Sequence, residues 1–449
     1  MSERSRVGSG PIVENEPSGG FLMNFKLAIL AAAAIGAATT AQAADLAKKA
    51  PAAANYVKVC DTFGAGFFYI PGSDTCLKIS GLVRAEYYVG GKSEAWNGGS
   101  WSGKSNGQAG GATGNYRQNN GIGTFARGEI DIDARTSTEF GLLRSFIALQ
   151  ADLASGKNTV ATLDKGFIQF GGLTAGHAQS FFDFWTGYSI GNYETAHSDT
   201  STNLLAYTFS FGNGISATLS IEDPTTGGRR VTGTGFSYYT NVTPFNIVSP
   251  TTAASVAYGG ARAPDFIANL AVDQAWGKAQ VSAALHEDYG SVSGDKYGYA
   301  FLGGVQINLP ALGAGDKLAL QAAYAKGAVA YVFAGNDGGA YDFSVVNASL
   351  KQSDAWSITG ALTHNWTKKL SSTIELGYAS FNSGLSTAGF GGSKVDDFSQ
   401  LDVQGNLAWT PVTGLTVIGE VEYRKIDYSW SGAKDKDAVL GILRVQRDF

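Results

Sequence analysis

Apolar side chains recur at every second position over long segments of this chain, and this pattern restricts the fold more than any other feature. In one such segment Leu401, Val403 and Leu407 fall on one face of an extended strand, and Asp402 and Gln404 fall on the other. Alternation with a period of two is typical of a β-strand with two different faces. After residue 38 no stretch has the roughly 18 uninterrupted apolar residues of a membrane helix. The sequence therefore predicts an all-β protein.

Strand length separates the two all-β architectures that fit this alternation. A soluble β-sandwich buries the apolar face, whereas a membrane β-barrel turns that face to lipid and the polar face to a wet lumen. Many alternating segments run for about 10 to 14 residues, which fits a tilted membrane-crossing strand, while globular strands average about 5 to 6. Charged residues make up only 16% of the chain against a typical ~25%. Both observations favour the barrel.

The spacing of the alternating segments predicts sixteen strands, an even number, as expected for an antiparallel barrel of a bacterial outer membrane. The predicted strands are 77–89, 122–135, 141–154, 162–171, 172–180, 203–212, 213–222, 264–275, 277–289, 297–309, 316–327, 354–366, 368–381, 397–410, 414–428 and 437–449. The connections between them alternate between long loops and tight turns. One rim is therefore predicted to carry long extracellular loops and the other short periplasmic turns.

The last predicted strand ends on an aromatic residue, Phe449, which is the usual ending of an outer-membrane barrel and a signal for its assembly. Val439, Leu443 and Val445 share a face with Phe449. Arg447 departs from this pattern, because the same face normally carries another apolar residue there. Its long side chain is expected to reach the headgroup level at little cost. The chain end thus supports an integral location in the outer membrane.

The N-terminus carries an export signal. Residues 23–43 contain a short basic start, an apolar core too short to span a membrane, and an Ala-Gln-Ala cleavage site. Residues 1–22 contain several acids and prolines but no apolar run, and are interpreted as mis-called or added sequence. The mature chain would then consist of a periplasmic segment, 44–76, followed by the barrel, 77–449.

Export makes a disulfide bond possible, and Cys60 and Cys76 are the only two cysteines. One intramolecular bridge is the simplest interpretation, because both cysteines flank a turn-like stretch at 70–74. Such a bridge would close a loop of about 15 residues and is worth roughly 3 kcal/mol in the chain-entropy description. The alternative is a pair of free thiols.

The segment 56–84 carries a family resemblance. Its sequence is YVKVCDTFGAGFFYIPGSDTCLKISGLVR, which resembles the N-terminal signature of the alphaproteobacterial porin family, the major porins of rhizobia and brucellae. The resemblance implies a homotrimer of sixteen-stranded barrels, with the third long loop folded inward to narrow each pore. It also implies passive diffusion of small hydrophilic solutes and ions. The expected partners are outer-membrane lipid, lipopolysaccharide and the barrel assembly machinery.

Charged side chains facing the lumen are the candidates for setting the ion preference of such a pore. On the predicted strands Arg84, Arg127 and Arg144 face the lumen from three neighbouring strands and would form a basic strip on one wall. The alternative is local pairing of these arginines with acids along the wall: Glu86, Glu129 and Asp152.

The third long loop, 181–202, carries three acids: Asp183, Glu194 and Asp199. If this loop folds inward, as the resemblance implies, these acids are expected to face the basic strip. The two charged sides would then create a transverse field that orients polar solutes and disfavours apolar ones.

Other classes of function find little support. The four histidines are scattered, no metal-ligand spacing is present, and the glycine-rich stretch 107–114 lacks the Lys-Ser/Thr of a phosphate-binding loop. The net charge of −5 includes no concentrated basic patch for nucleic acid. No enzyme activity, cofactor or metal site is predicted. The alternatives to a general diffusion porin are a substrate-selective outer-membrane channel, a closed structural or adhesive barrel, and a soluble β-sandwich.

Overall fold

The computed structural model describes residues 58–90, 122–191, 196–231, 258–290, 294–334, 339–346, 349–385, 397–429 and 435–449. Sixteen long strands within these residues form one antiparallel sheet. In chain order they are β1 (Cys76–Gly90), β2 (Ile122–Thr138), β3 (Gly141–Ala154), β4 (Val160–Phe170), β5 (Leu173–Gln179), β6 (Ser201–Gly212), β7 (Ile215–Glu222), β8 (Asp265–Gln274), β9 (Gly277–Gly290), β10 (Gly294–Asn308), β11 (Lys317–Lys326), β12 (Asp354–Thr367), β13 (Leu370–Asn382), β14 (Phe398–Val412), β15 (Leu415–Tyr428) and β16 (Lys436–Asp448).

The sheet closes on itself, because β1 pairs with β2 on one side and with β16 on the other. Closure leaves no strand edge whose backbone N–H and C=O groups would lack partners in lipid. The predicted sixteen-stranded antiparallel barrel is confirmed, and each strand overlaps its predicted counterpart. Within the described parts of the chain, no helix has the length and apolar character needed to cross a bilayer.

Large apolar side chains cover the outside of the barrel, and smaller or polar ones line its inside. On β9, for example, Val281 and Leu285 are 57% and 41% exposed on the outer face. Ser282 and His286, one position further along, are 5% and 0% exposed on the inner face. The period of two therefore separates lipid from lumen, as expected for a membrane barrel.

The two rims differ in their connections, as the sequence predicts. Tight turns join the strands at one rim, and one of them depends on Gly277, which has φ of 141° and whose Cβ would lie 1.9 Å from the backbone oxygen of Gln306. At the other rim, the loop between β11 and β12 contains a 3-10 turn, Val329–Tyr331, and a hairpin of Phe343–Val346 with Ser349–Gln352. The sequence pattern misses this hairpin because four-residue strands are too short to show a period.

The chain end is held by the first strand. The backbone N–H of Phe449 donates to the oxygen of Gly81 at 3.0 Å, and the N–H of Gly81 donates to the oxygen of Phe449 at 3.2 Å. Arg447 donates through Nη1 to the backbone oxygen of Thr413, at 3.0 Å, in the turn between β14 and β15. Its guanidinium thus lies at the short-turn rim, where its departure from the apolar pattern is accommodated.

A disulfide bond joins Cys60 to Cys76, as predicted. It ties the segment before β1 to the barrel, and within that segment the two-residue strand Phe68–Tyr69 pairs with the start of β1. The ring of Phe67 packs under the guanidinium of Arg135, 4.9 Å away. The predicted extension 1–22 and signal peptide 23–43 lie outside the described residues.

Replacing Cys60 and Cys76 by serine should release this segment and leave the barrel intact. The bond joins two cysteines that are 16 positions apart. Its removal lowers the stability of the segment by roughly 3 kcal/mol, which is more than the pairing of a two-residue strand contributes. We expect trypsin to cut after Lys58 in the folded double variant and to spare the oxidised protein. Equal resistance of both proteins would show that the disulfide is not what holds the segment.

Candidate functional site

The third long loop, between β5 and β6, runs inside the barrel along one wall. It is described at residues 180–191 and 196–200. The backbone oxygen of Phe181 accepts a hydrogen bond from the amide of Asn269 on β8 at 2.7 Å. Further along, the oxygen of Trp185 accepts one from the amide of Gln321 on β11 at 2.8 Å. The first half of the loop therefore follows the wall from β8 to β11.

A buried glutamate, Glu375 on β13, holds the next part of this loop through its main chain. Its Oε2 accepts the backbone N–H of Tyr188 at 2.6 Å and that of Ser189 at 2.9 Å. Glu375 is 1% exposed, and hydrogen bonds to a charged group are among the stronger ones in proteins.

A second buried glutamate, Glu420 on β15, continues this anchor. Its carboxylate accepts the backbone N–H of Ile190 at 3.0 Å and that of Gly191 at 2.9 Å. Gly191 approaches the wall so closely that a Cβ would lie 1.8 Å from Oε1 of Glu422. The loop is thus held by carboxylates of β13 and β15, and a side chain at position 191 would have to displace the Glu422 carboxylate.

Arg229, which is 1% exposed, holds the start of the third loop. Its Nη2 lies 3.2 Å from Oδ1 of Asp183, and its Nη1 donates to the backbone oxygen of Ala330 at 2.7 Å. The side chain of Asp183 is itself only 1% exposed. The expectation that Asp183 faces the basic strip is therefore corrected: its carboxylate neutralises a buried arginine that comes from the next long loop.

The second predicted acid of the third loop, Asp199, lies just before β6. Asp199 is exposed, and its Oδ1 accepts a hydrogen bond from Nε2 of Gln179 at 3.1 Å. Glu194 lies outside the described residues.

Two of the predicted arginines stand side by side on the wall formed by the first strands. Arg84 on β1 and Arg127 on β2 are directly opposite each other in register, and their side chains are 18% and 21% exposed. Arg127 makes two hydrogen bonds of 2.6 Å to Asp152, and Nε of Arg84 lies 3.4 Å from Oε1 of Glu86. Both arginines face the lumen and both have an acid beside them.

A third arginine, Arg444 on β16, completes this group and was missed by the sequence analysis. Its Nε donates to Glu86 at 2.5 Å, and its Nη2 donates to the backbone oxygen of Ile190 in the third loop at 2.7 Å. The alternation of the last strand could have found it, because Leu443 and Val445 on either side belong to the lipid face. We call Arg84, Arg127 and Arg444 the basic group.

Arg144 does not belong to the basic group. Its register partner on β2 is Arg135, whereas Arg127 is paired in register with Asp152 on β3. Arg144 and Asp152 are eight residues apart on β3, which corresponds to about 26 Å along the strand. Arg144 instead makes hydrogen bonds of 2.9 and 3.0 Å to Asp133, near the short-turn rim. The predicted strip is thus divided between two levels of the barrel.

The arrangement narrows the lumen at one level. The described part of the third loop follows the wall from β8 to β15, and its Ile190 binds Arg444, the member of the basic group on β16. The described part of the third loop therefore lies inside the barrel beside the basic group, where fixed charges of both signs face the lumen.

Comparison with known proteins agrees with this geometry. Residues 45–442 match the family described as "Porin subfamily". The chain belongs to this porin family. It is 29% identical over 453 residues to "Porin Omp2b" of Brucella abortus (strain 2308), with 95% of this chain and 100% of that relative covered. The corresponding porin of Brucella melitensis is 28% identical over the same coverage.

A solved structure supports the fold independently. The outer membrane channel DcaP of Acinetobacter baumannii matches 85% of this chain and 99% of its own with a TM-score of 0.64, at 16% identity. The fold and the family together make this protein an integral outer-membrane porin that forms a channel. Membership in this porin family indicates a channel function.

Proposed function

We propose that this porin passes small hydrophilic solutes and ions by passive diffusion through the gap between the third loop and the basic group. The observation that carries this proposal is the anchored loop. Glu375 and Glu420 fix its main chain against the wall, and Arg444 on the neighbouring strand β16 binds the backbone oxygen of Ile190. The opening therefore has a defined size and fixed charges, which are the two properties by which a diffusion pore selects.

The charges of the gap favour polar solutes. Arg84, Arg127 and Arg444 hold their guanidinium groups next to carboxylates, so the wall presents strong local dipoles to the water between them. A polar solute forms hydrogen bonds with such a surface in place of water. An apolar solute displaces the water bound to these polar groups without replacing its hydrogen bonds, which costs free energy. Asp199 and Glu194 remain our proposals for the acidic side of the gap.

Recordings from purified protein in a planar bilayer test this function. We expect stepwise conductance that rises linearly with salt concentration and shows no saturable block by sugars or carboxylates. A block that saturates with one solute would instead assign the protein to the substrate-selective channels. A bilayer that stays silent despite a folded, heat-modifiable barrel would mean that the barrel is closed.

The assembly is a further proposal. We infer a homotrimer in contact with lipopolysaccharide, and a mature chain that starts after residue 43. We also assign Phe449, 59% exposed beside the first strand, as the signal for the barrel assembly machinery. Native mass spectrometry of protein extracted from outer membranes tests the first and the third of these points, as three copies per particle for the homotrimer and as the mass of the processed chain for its start.

A further inference from the structure

A cluster of buried polar side chains lies on the long-loop side of the barrel, between the wall and two loops. His286 and Asp288 come from β9, Tyr258 from the loop between β7 and β8, and Asp342 from the loop between β11 and β12. His286, Asp288 and Asp342 are each 0% exposed. We call these four residues the mouth cluster.

The hydroxyl of Tyr258 is the centre of the mouth cluster. It lies 3.0 Å from Nε2 of His286, 3.0 Å from Oδ1 of Asp288 and 2.7 Å from Oδ2 of Asp342. The other ring nitrogen of His286, Nδ1, lies 2.7 Å from Oδ1 of Asp265 on β8. Four hydrogen-bonding contacts therefore meet at one tyrosine and one histidine.

The number of protons in these contacts is fixed by elementary valence. Each of the four contacts needs one proton between its two atoms. Tyr258 supplies one proton and a neutral His286 supplies one, while ionised Asp288, Asp342 and Asp265 supply none. Two protons are missing. Because Tyr258 donates to at most one of Asp288 and Asp342, at least one of these two must be a carboxylic acid, and a doubly protonated His286 supplies the second missing proton most simply.

The surroundings indicate which aspartate holds the proton. Asp342 also accepts the backbone N–H of Val329 at 2.7 Å and that of Val231 at 2.6 Å, and these bonds favour the ionised carboxylate. Asp288 has one further partner, the amide of Gln352, on its Oδ2 at 2.6 Å. Its Oδ1 is thus the atom in position to donate to Tyr258.

Tyr258 keeps its own proton throughout the range in which an aspartic acid titrates. Burial, together with Asp342 and Asp288, raises the pKa of the Tyr258 hydroxyl well above its usual value. His286 and Asp342 share the Tyr258 hydroxyl with Asp288. One contact further out, Asp265 binds His286, Tyr331 binds Asp265, Arg229 lies over Tyr331, and Arg230 lies over the ring of Tyr258. Lys296 is opposite Asp288 in register, yet its ammonium donates to the backbone oxygen of Leu350 at 2.6 Å.

We propose that the mouth cluster is a proton-binding site that fixes two long loops to the barrel, and that loss of its proton at alkaline pH loosens them. Without the proton on Asp288, two oxygen atoms face each other at 3.0 Å with nothing between them. A buried carboxylate in that position also repels Asp342. The contact at Tyr258 is then lost while the strands keep their backbone pairing.

The constriction is mechanically connected to this site. Tyr331, from the same loop as Asp342, donates to Oδ2 of Asp265 at 2.6 Å and packs edge-on against Phe182 of the third loop, with ring centroids 4.7 Å apart. Arg229 lies over the ring of Tyr331 at 4.0 Å and pairs with Asp183 of the third loop. Loosening of the outer loops therefore removes lateral support from the loop that narrows the pore.

Single-channel recording across a pH series tests this proposal, which rests on the proposed diffusion function. With EDTA present to exclude divalent cations, we expect brief closures and substates to become several-fold more frequent at alkaline pH, along a one-proton titration curve. Asp288→Asn should abolish this rise, because the amide N–H donates to Tyr258 at every pH. Identical wild-type traces at neutral and alkaline pH would overturn the proposal. Absence of any conductance would instead reject the diffusion function.

Two further variants make the result specific. Asp273→Asn removes an exposed acid at the opposite rim, and it should keep the alkaline rise of the wild type. Tyr258→Phe removes the central hydroxyl from a loop position and leaves every barrel strand unchanged. We expect it to show the frequent closures already at neutral pH. A Tyr258→Phe channel as quiet as the wild type would contradict the role of the cluster, even if Asp288→Asn fails to fold.

Discussion

Replacing both Glu375 and Glu420 by alanine should widen the channel, and this is the largest effect that we expect from any change in the pore. Four backbone N–H groups of the third loop lose their charged acceptors. Each such hydrogen bond contributes on the order of 1.5–3 kcal/mol, so residues 188–191 of the loop leave the wall. Single-channel conductance should rise, and proteoliposomes should swell in sugars that the wild type excludes.

Two controls separate loop release from a general effect of removing acids. Glu139→Ala removes an exposed acid in the turn between β2 and β3 and should leave conductance unchanged. Gly191→Ala leaves both anchoring glutamates in place and displaces only the side-chain end of Glu422, so it should change conductance less than the double variant does. If the double variant keeps the size limit of the wild type, these bonds do not determine the constriction.

Replacing Arg84 and Arg127 by glutamine should shift the ion preference strongly towards cations. Both changes leave a lumen-facing carboxylate, Glu86 or Asp152, with one cation fewer beside it. Under a tenfold salt gradient, the reversal potential should move towards the cation side by a clear fraction of the ~59 mV limit for perfect selectivity.

Replacing Arg135 and Arg144 together by glutamine is the matched control for this experiment, because it also removes two charges from a register pair, about 26 Å away along the strands. It should move the reversal potential less than the Arg84/Arg127 variant does. An unchanged reversal potential in the Arg84/Arg127 variant would exclude both residues from the constriction. Equal shifts in the two proteins would show that the level of the charge in the barrel has no influence.

The barrel was predictable from the sequence because lipid imposes a simple rule on every strand. Each strand must show apolar side chains outward at a period of two and must be long enough to cross the bilayer, and both features are visible locally. The disulfide was predictable for a similar reason, since only Cys60 and Cys76 were available. The hairpin in the loop after β11 could not be predicted in this way, because its four-residue strands are too short to repeat a pattern.

The constriction was less predictable because it depends on contacts between distant parts of the chain. Asp183 is neutralised by Arg229, 46 residues away, and nothing near Asp183 in the sequence reveals this pairing. Glu375 and Glu420 look like ordinary lumen residues until the position of the third loop is known. Arg144 was grouped with Arg84 and Arg127 because alternation gives the face of a residue but not its height in the barrel.

The anchoring of the third loop through main-chain N–H groups has a consequence for protein engineering. Every residue except proline presents such a group, so the wall carboxylates hold the loop whatever side chains it carries at positions 188 to 190. Variation there can change the chemistry of the opening while the backbone path is retained. A library of variants at these three positions would thus keep the backbone of the loop in place. Pores of different selectivity could then be obtained without redesign of the barrel.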